Sequence, residues 1–492
     1  MDNLILFQFF FPLIAAISFY MAPLNKKKSQ VLALVSAVVY LILTFNLVNS
    51  VSNLSTMTTL ASYKLDNFFG LSYAIGIDGL SGVLITLNAL LLLIVVLSTL
   101  NFDTNKFRLY YFSIFTLSWS VNGALLTENL YAFYIFWEAM LIPLFILVGV
   151  FGGDERKYAS YKFFIFTAAG SFIMLGSMMY MSSLSFVANG SYDLTPAIIK
   201  SLNLPFNGFY SPQALVFAAF CLALFIKVPV FPFHSWLPDA HVQAPTAGSI
   251  ILAGVLLKLG IYGLLRFVIP VYPQAVFAYK EVIITLGAMG VVYGALTAIA
   301  QNDIKKVVAF SSISHMGYIV AGIFSFNEMA VNGAIFQMIS HGITTGGLFI
   351  AVHCLYVRRH TKLISEYGGV AKVMPVFAVL FFIMLLGSMA VPLTNGFVGE
   401  FLIIWGVYKV HPILGFACAL GVILAPVYLL TTFQKVMLGP ITNKENETLK
   451  DISKTEMISF VILGFLILLF GIYPKILSDV YGGIIPTLIT KV

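Results

Sequence analysis

The sequence has few charged residues for its length and no long polar stretch. Of its 492 residues, 10% are charged and 60% are apolar, whereas a soluble domain is about a quarter charged and about half apolar. A water-soluble fold of this composition would lack the polar side chains that must cover its surface. The scarcity of charge therefore excludes a soluble enzyme and indicates that the lipid bilayer is the solvent of this chain.

Cysteine is equally scarce. The three cysteines, Cys221, Cys354 and Cys418, are isolated from one another and lie inside apolar runs. This spacing fits neither a disulfide framework nor a zinc or iron–sulfur motif, and no glycine-rich phosphate-binding loop occurs. We therefore expect no cofactor and no metal in this chain.

Apolar segments near the roughly 20 residues that cross a bilayer recur from end to end. They predict an all-α integral membrane protein with about fourteen transmembrane helices. The predicted spans are 3–23, 30–50, 76–100, 109–127, 129–151, 159–185, 212–236, 246–268, 281–300, 304–326, 329–357, 373–407, 412–434 and 457–480.

The basic residues of the predicted loops indicate the orientation. They concentrate in alternate loops, at 26–28, 106–108, 156–157, 305–306, 358–372 and 435–454, whereas the intervening loops hold only isolated lysines. By the positive-inside rule, the basic loops face the cytoplasm or the mitochondrial matrix. Both termini are therefore expected on the periplasmic or intermembrane side.

Two predicted spans are interrupted in the same way, because the seventh (at 227–234) and the twelfth (at 390–397) each contain Val-Pro in mid-membrane. Proline removes a backbone hydrogen bond there, and matching breaks in two halves are typical of inverted repeats with a site at the breaks. We expect an N-terminal three-helix segment (1–108), two inverted five-helix halves (109–268 and 281–434) and a C-terminal helix (457–492). The alternative is that the prolines merely kink their helices.

Ionisable residues deep inside apolar spans are the most informative feature. They are Glu138, Lys227, Lys258, His315, His341 and Glu400. A charge at the centre of a membrane helix costs at least about 2.5–3.5 kcal/mol, so such residues usually serve a function. A row of them could pass protons along the membrane plane; the alternative is that they hold helices together by hydrogen bonds.

Other polar residues carry a weaker signal. We interpret residues 303–306 as a solvated loop end, and Asp78 and Arg266 as contacts to lipid headgroups. His234 and His241 are expected in a loop that enters the eighth span. They could gate proton uptake, although polar groups of a loop more often serve local hydrogen bonds.

Several long motifs resemble one family, the antiporter-like membrane subunits of respiratory complex I. The resemblance runs through most of the chain and is densest at 76–82 (GIDGLSG), 133–143 (FYIFWEAMLIP), 227–267 (beginning KVPVFPFHSWLPDA), 303–317 (DIKKVVAFSSISHMG) and 395–403 (NGFVGEFLI). It implies a pair between Glu138 and Lys227, and a central relay lysine at Lys258.

The resemblance also implies roles for the other buried ionisable residues in proton transfer. It places His315 and His341 at connecting positions and Glu400 at the terminal position, facing the outer half-channel. A glutamate at the position of Glu400 is typical of the branch called subunit M in bacteria and subunit 4 in mitochondria. The related L and N subunits usually carry lysine there.

In this family, quinone reduction elsewhere in the complex drives outward proton transport through the membrane subunits. The resemblance thus implies neighbouring L and N subunits, with NADH, FMN, iron–sulfur clusters and quinone bound by partner subunits. It also implies a bacterial inner membrane or a mitochondrial inner membrane. The alternatives are an Mrp-type sodium/proton antiporter subunit, a membrane subunit of an energy-converting hydrogenase, and a non-conducting scaffold.

Overall fold

The computed structural model describes residues 2–22, 25–51, 54–64, 72–100, 102 and 104–489. The N-terminal part comprises α1 (Asp2–Met21), α2 (Lys26–Ser50), β1 (Thr58–Lys64), β2 (Ser72–Ile77), α3 (Gly79–Thr99) and α4 (Phe107–Leu126). It is followed by α5 (Leu130–Ala139), α6 (Leu141–Phe151), α7 (Arg156–Asn189), α8 (Pro196–Ser201), α9 (Pro212–Lys227) and α10 (Trp236–Gln243).

The next stretch runs continuously through α11 (Thr246–Ile251), a π-helical segment (Leu252–Leu256), α12 (Leu257–Gly263) and a second π-helical segment (Leu264–Val268). The remaining long helices are α13 (Pro273–Ile299), α14 (Ile304–Phe324), α15 (Glu328–Arg359), α16 (Pro375–Ser388), α17 (Asn395–Val410), α18 (Pro412–Met437) and α19 (Lys454–Ile472). Short helices α20 (Lys475–Tyr481) and α21 (Ile485–Ile489) follow, and 3₁₀ turns occupy 364–366, 370–372, 444–446 and 482–484.

One hairpin departs from the all-α prediction. Strands β1 and β2 pair antiparallel, from Thr58 opposite Ile77 to Lys64 opposite Ser72. Threonine, tyrosine and isoleucine favour strands, and the segment is too short and too polar to cross a bilayer. The third span also begins later than predicted, at Gly79, because the side chain of Asp78 forms a capping box with Ser81.

Eleven stretches of the described chain are long and apolar enough to cross a membrane: 4–21, 26–50, 79–99, 130–151, 156–189, 246–268, 273–299, 304–324, 328–359, 412–437 and 454–472. Two shorter apolar helices, α9 and α16, lie where the two interrupted spans were expected. The membrane nature of the chain thus agrees with its sequence, whereas the number of fourteen spans stays a prediction.

Both predicted helix breaks are present. Helix α9 ends at Lys227 and α10 begins at Trp236, while α16 ends at Ser388 and α17 begins at Asn395. The indole nitrogen of Trp236 donates a hydrogen bond to the carbonyl oxygen of Ile226, at 2.8 Å. This bond satisfies a carbonyl that the break leaves without its helical partner. The expectation of a loop holds for His234, which lies in the turn before α10, and is wrong for His241, because Trp236–Gln243 is helical.

Burial separates inner helices from peripheral ones. In the stretch 246–268 and in α15, the most apolar 18 residues are all buried, and in α14 94% of them are. In α2, α18 and α19 only 33% of the corresponding residues are buried. Three of the six predicted site residues therefore lie on inner helices, where protein surrounds a polar side chain instead of lipid.

Candidate functional site

Lys258 lies at the centre of the buried stretch 246–268. It is the second residue after a π-helical segment, a feature often found at functional sites. Its side chain is completely buried. The amino group donates to the carbonyl oxygen of Ala253, and its Nζ is 2.8 Å from Nδ1 of His341 on α15. A buried lysine thus contacts a titratable imidazole.

Two histidines continue the line. The ring centroids of His341 and His315 are 5.3 Å apart, and both side chains are nearly fully buried. His315, on α14, has its Nδ1 2.8 Å from Oε1 of Glu400. Its other ring nitrogen, Nε2, is 3.3 Å from the hydroxyl of Ser388. Ser388 was not among the residues predicted from the sequence.

Glu400 ends this line on α17, little more than one turn after the second helix break. Its side chain is 2% exposed. Besides His315, the amide nitrogen of Gln337 donates to Glu400 Oε1, at 3.1 Å. The structure thus brings together four of the six predicted residues, in the order Lys258, His341, His315 and Glu400. We call these four residues the relay.

Glu138 and Lys227 form a separate part of the site. Their charges are near enough to attract each other, but Lys227 Nζ and Glu138 Oε1 lack a hydrogen-bond partner among the described residues. Lys227 instead lies over the ring of Trp137, with Nζ 4.9 Å from the ring centroid. The two residues are thus neighbours without a hydrogen bond between them, and the pair that the resemblance implies stays a prediction.

The end of α9 lies directly against the helix that carries Lys258. A Cβ atom at Gly260 would be 2.5 Å from Cγ2 of Val228 and 3.0 Å from the carbonyl oxygen of Leu224. Only a glycine allows such a close approach of two backbones. Lys227, the last residue of α9, is therefore positioned next to the helix segment that begins the relay.

Three charged residues were misinterpreted from the sequence. Asp78 is fully buried and pairs with Arg266 across 188 positions of the chain, so the interpretation as headgroup contacts is wrong for both. Lys305 is 6% exposed, and its Nζ donates to the carbonyl oxygen of Ala244, at 2.5 Å. It is not a solvated loop residue.

A cavity of about 210 Å³ opens between these inner elements at the side of the basic loops. Its lining includes Lys305, Lys362, His353 and Phe349. Burial lowers the pKa of Lys362, which lies in the loop after α15. His241 stacks on Phe349, with ring centroids 4.7 Å apart, and is completely buried.

His241 lies beside this cavity, because Phe349, on which it stacks, is one of the lining residues. Its ring is near enough to Lys305 and Lys258 for both charges to act on it, and neither of its ring nitrogens has a hydrogen-bond partner among the described residues. Local satisfaction, the interpretation preferred from the sequence, therefore does not apply to His241. The local sequence around His241 could not distinguish a role in proton uptake from local hydrogen bonding.

Comparison with known proteins identifies the protein family of the chain. Residues 127–425 match the family described as the NADH:quinone oxidoreductase/Mrp antiporter transmembrane family, and the chain belongs to this family. Its fold is that of the antiporter-like membrane subunits.

Individual relatives narrow the class. The chain is 42% identical over 476 residues to NADH-quinone oxidoreductase subunit M of Rickettsia prowazekii, covering 96% of this chain and 93% of the relative. It is 36% identical over 415 residues to NADH-ubiquinone oxidoreductase chain 4 of Marchantia polymorpha, covering 84% and 81%. A chain of respiratory complex I from Thermus thermophilus with bound NADH superposes with a TM-score of 0.87 at 27% identity, covering 99% and 98%. The expected resemblance to complex I is confirmed.

Proposed function

We propose that the chain is a proton-translocating membrane subunit of an NADH:quinone oxidoreductase. The observation that carries this proposal is the buried line of closely spaced titratable side chains from Lys258 to Glu400. Buried ionisable residues in a membrane are costly and rare, so a line of them usually marks a transport path. NADH oxidation, FMN, iron–sulfur clusters and quinone reduction belong to partner subunits in this proposal.

The relay moves a proton in three steps. Lys258, when protonated, releases a proton from Nζ to Nδ1 of His341 across 2.8 Å. His341 then releases the proton on its Nε2, and His315 takes a proton at its Nε2, which faces the Ser388 hydroxyl at 3.3 Å. The two ring centroids are 5.3 Å apart, so a bridging hydroxyl or water carries the proton between the rings. His315 Nδ1 finally gives its proton to Glu400 Oε1 across 2.8 Å. Glu400 returns to its carboxylate when it releases this proton toward the outer side, and Lys258 regains its charge when a new proton arrives. One cycle thus moves one proton and leaves every residue as it began.

Lys227 and Glu138 act on this line through charge. We propose that Lys227 raises the electrostatic cost of a proton on Lys258, because α9 packs against the helix of Lys258. Glu138 offsets the charge of Lys227. A change of charge next to Glu138 would thus alter how readily Lys258 releases its proton.

Protons reach the relay from the cavity lined by Lys305 and His353. In this proposal His241 passes protons from that cavity to Lys258, because it stacks on the lining residue Phe349 and is near enough to Lys258 for the lysine charge to act on its ring. Imidazole can take a proton at one nitrogen and release one from the other. The cavity lies at the side of the basic loops, which we assign to the cytoplasm or the matrix.

Partner subunits follow from the position of Glu138. It is only partly buried, and its helical neighbours Ile135 and Ile142 are 62% and 64% exposed. A carboxylate that faces lipid hydrocarbon at mid-membrane is unfavourable, so this face fits a neighbouring membrane subunit. We propose subunits equivalent to L and N as these neighbours.

The proposal also includes the finer architecture. It comprises fourteen spans, inverted halves at 109–268 and 281–434, both termini on the outer side, and a bacterial inner membrane as the location. The matching breaks after Lys227 and Ser388 support the repeat.

The test is NADH-driven proton pumping in inverted membrane vesicles that contain Lys258→Ala. We expect pumping and quinone reduction to fall by roughly 100-fold, the lower range of what a positioned proton-transfer group contributes. Complex assembly and NADH oxidation by an artificial acceptor should persist. Lys157→Ala, at an exposed lysine, is the matched control and should pump normally.

The same vesicles separate the rival functions. Normal pumping in Lys258→Ala, with the complex assembled, would contradict the relay and favour a scaffold role. Sodium-driven proton movement that needs no NADH would instead identify an Mrp-type antiporter. Lys227→Ala and Glu138→Gln should reduce pumping while leaving acceptor activity intact.

A further inference from the structure

The buried side-chain amide of Gln337 lies next to the relay but takes part in none of its proton-transfer steps. Gln337 lies on α15, one helical turn before His341, and is 2% exposed. Its Oε1 has no hydrogen-bond partner among the described residues. A buried unsatisfied oxygen costs about 1–3 kcal/mol. This cost offsets much of what a hydrogen bond to a charged group contributes, so stability alone does not explain a glutamine at this position.

The contact of Gln337 is directed at one oxygen of the relay. Its Nε2 donates to Glu400 Oε1 across 3.1 Å, the same oxygen that His315 Nδ1 approaches at 2.8 Å. An amide N–H neither gains nor loses a proton at physiological pH. The Gln337 contact can therefore persist while His315 changes its charge, because a carboxyl oxygen has two lone pairs.

The backbone of α17 keeps this amide in place. A Cβ atom at Gly399, the residue before Glu400, would lie 2.3 Å from Gln337 Oε1 and 2.9 Å from Gln337 Cβ. At Gly333, one turn earlier on α15, a Cβ atom would lie 2.8 Å from the carbonyl oxygen of Gly399. Two glycines thus let α15 and α17 approach until the Gln337 side chain is confined between them.

We infer that Gln337 is a positioning residue, which holds Oε1 of Glu400 toward His315 throughout the transfer of the proton. This inference rests on the proposed relay. Without the Gln337 bond, the Glu400 side chain can rotate away from His315 when the charge of either group changes. The last step of the relay would then wait for the carboxylate to return, because proton transfer needs hydrogen-bond distance.

The first experiment replaces the amide by an apolar side chain of similar size, in the assembled complex. Gln337→Leu should lower NADH-driven proton pumping about tenfold, the equivalent of one lost hydrogen bond to a charged group. Gln337→Met, which has the same chain length, serves if Gln337→Leu does not assemble. Gly399→Ala, which displaces the amide without removing it, should have the same direction of effect.

A matched control separates positioning from packing. Gln213 is also a buried glutamine, and its amide bonds backbone groups of Leu204 and Ala275 away from the relay. Gln213→Leu should lower the amount of assembled complex but not pumping per complex. The infrared C=O stretching band of protonated Glu400, identified by its loss in Glu400→Gln, should shift in Gln337→Leu and stay in place in Gln213→Leu.

The outcomes distinguish this inference from the proposed function. If Glu400→Gln pumps normally, the relay itself is wrong. If Glu400→Gln abolishes pumping while assembled Gln337→Leu and Gln337→Met pump like the native complex with an unshifted band, only the role of Gln337 is overturned. Reduced pumping with a shifted band supports the positioning role.

Discussion

His315 has a different partner at each of its two ring nitrogens. Nδ1 faces Glu400 at 2.8 Å, and Nε2 faces the hydroxyl of Ser388 at 3.3 Å. A hydroxyl can donate to a neutral imidazole nitrogen and accept from a protonated one. Ser388 can therefore stay bonded in both charge states of His315, which keeps the ring aligned with Glu400.

Removal of this hydroxyl should have a moderate effect. We expect Ser388→Ala to lower proton pumping per assembled complex about fivefold, because a net hydrogen bond between neutral groups contributes about 1 kcal/mol. Ser183→Ala is the control, since this exposed hydroxyl bonds only its own helix, at the carbonyl oxygen of Tyr180. Equal pumping in the two variants would show that Ser388 does not assist His315.

The relay residues could be identified from the sequence, but the residues that hydrogen-bond to them could not. Lys258 and Glu400 are visible because a charge inside an apolar span is rare and costly. Gln337 and Ser388 are neutral, and polar neutral residues are common in membrane helices. Their partners lie 63 and 73 positions away along the chain, so only the tertiary structure places them at the relay.

The second helix break depends on a close contact between the two helices that it joins. Residues Ala390 and Leu393 adopt left-handed φ angles of 53° and 73°, which are unfavourable for residues other than glycine. A Cβ atom at Gly396, in the first turn of α17, would lie 2.1 Å from the carbonyl oxygen of Gly387 in α16. Glycine at 396 thus allows α17 to start where it brings Glu400 to His315.

We therefore expect Gly396→Ala to move α17 away from α16 and to separate Glu400 from His315. Proton pumping per assembled complex should fall at least about tenfold, because the transfer needs hydrogen-bond distance. Gly176→Ala is the matched control, since no atom lies within 4 Å of the added Cβ in α7. That variant should be unchanged or more stable by up to about 1 kcal/mol. Normal pumping in Gly396→Ala would show that this contact does not position Glu400.

At the scale of elements, the sequence predicted the two breaks but not their neighbours. Proline within an apolar run marks a break reliably, because it removes a backbone donor. Helix α10 was missed, since Pro238 resembles a loop residue but is tolerated in the first turn of a helix. The π-helical segments around Lys258 depend on packing against neighbouring helices, which no local pattern reveals.

The whole molecule keeps its titratable line inside and leaves the rim apolar. The most apolar 18 residues of α15, the helix that carries His341, are all buried inside the protein, whereas only one-third of the corresponding residues of α18 are buried. Composition alone predicted the membrane location, because 60% apolar residues cannot form a soluble surface. The order of the relay could not be predicted from composition, since it joins residues of four different helices, α12, α14, α15 and α17.

The orientation of the chain is testable with single cysteines. The three native cysteines are buried, so a membrane-impermeant maleimide should give little background labelling. Glu155 and Asn207 are exposed and lie on either side of α7, which spans 34 residues. By the positive-inside rule, we expect Asn207→Cys to react in intact cells and Glu155→Cys to react only in inverted vesicles.

This result would also decide the direction of proton movement. The cavity next to Lys305 includes Gly152 and Gly153, which directly precede the loop at Glu155. Labelling of Glu155→Cys only from the cytoplasmic side would therefore place proton uptake there. Labelling of Glu155→Cys only from the outer side would make the same cavity a proton exit and reverse the direction of the relay. Labelling of both cysteines from one side would mean that α7 does not cross the membrane.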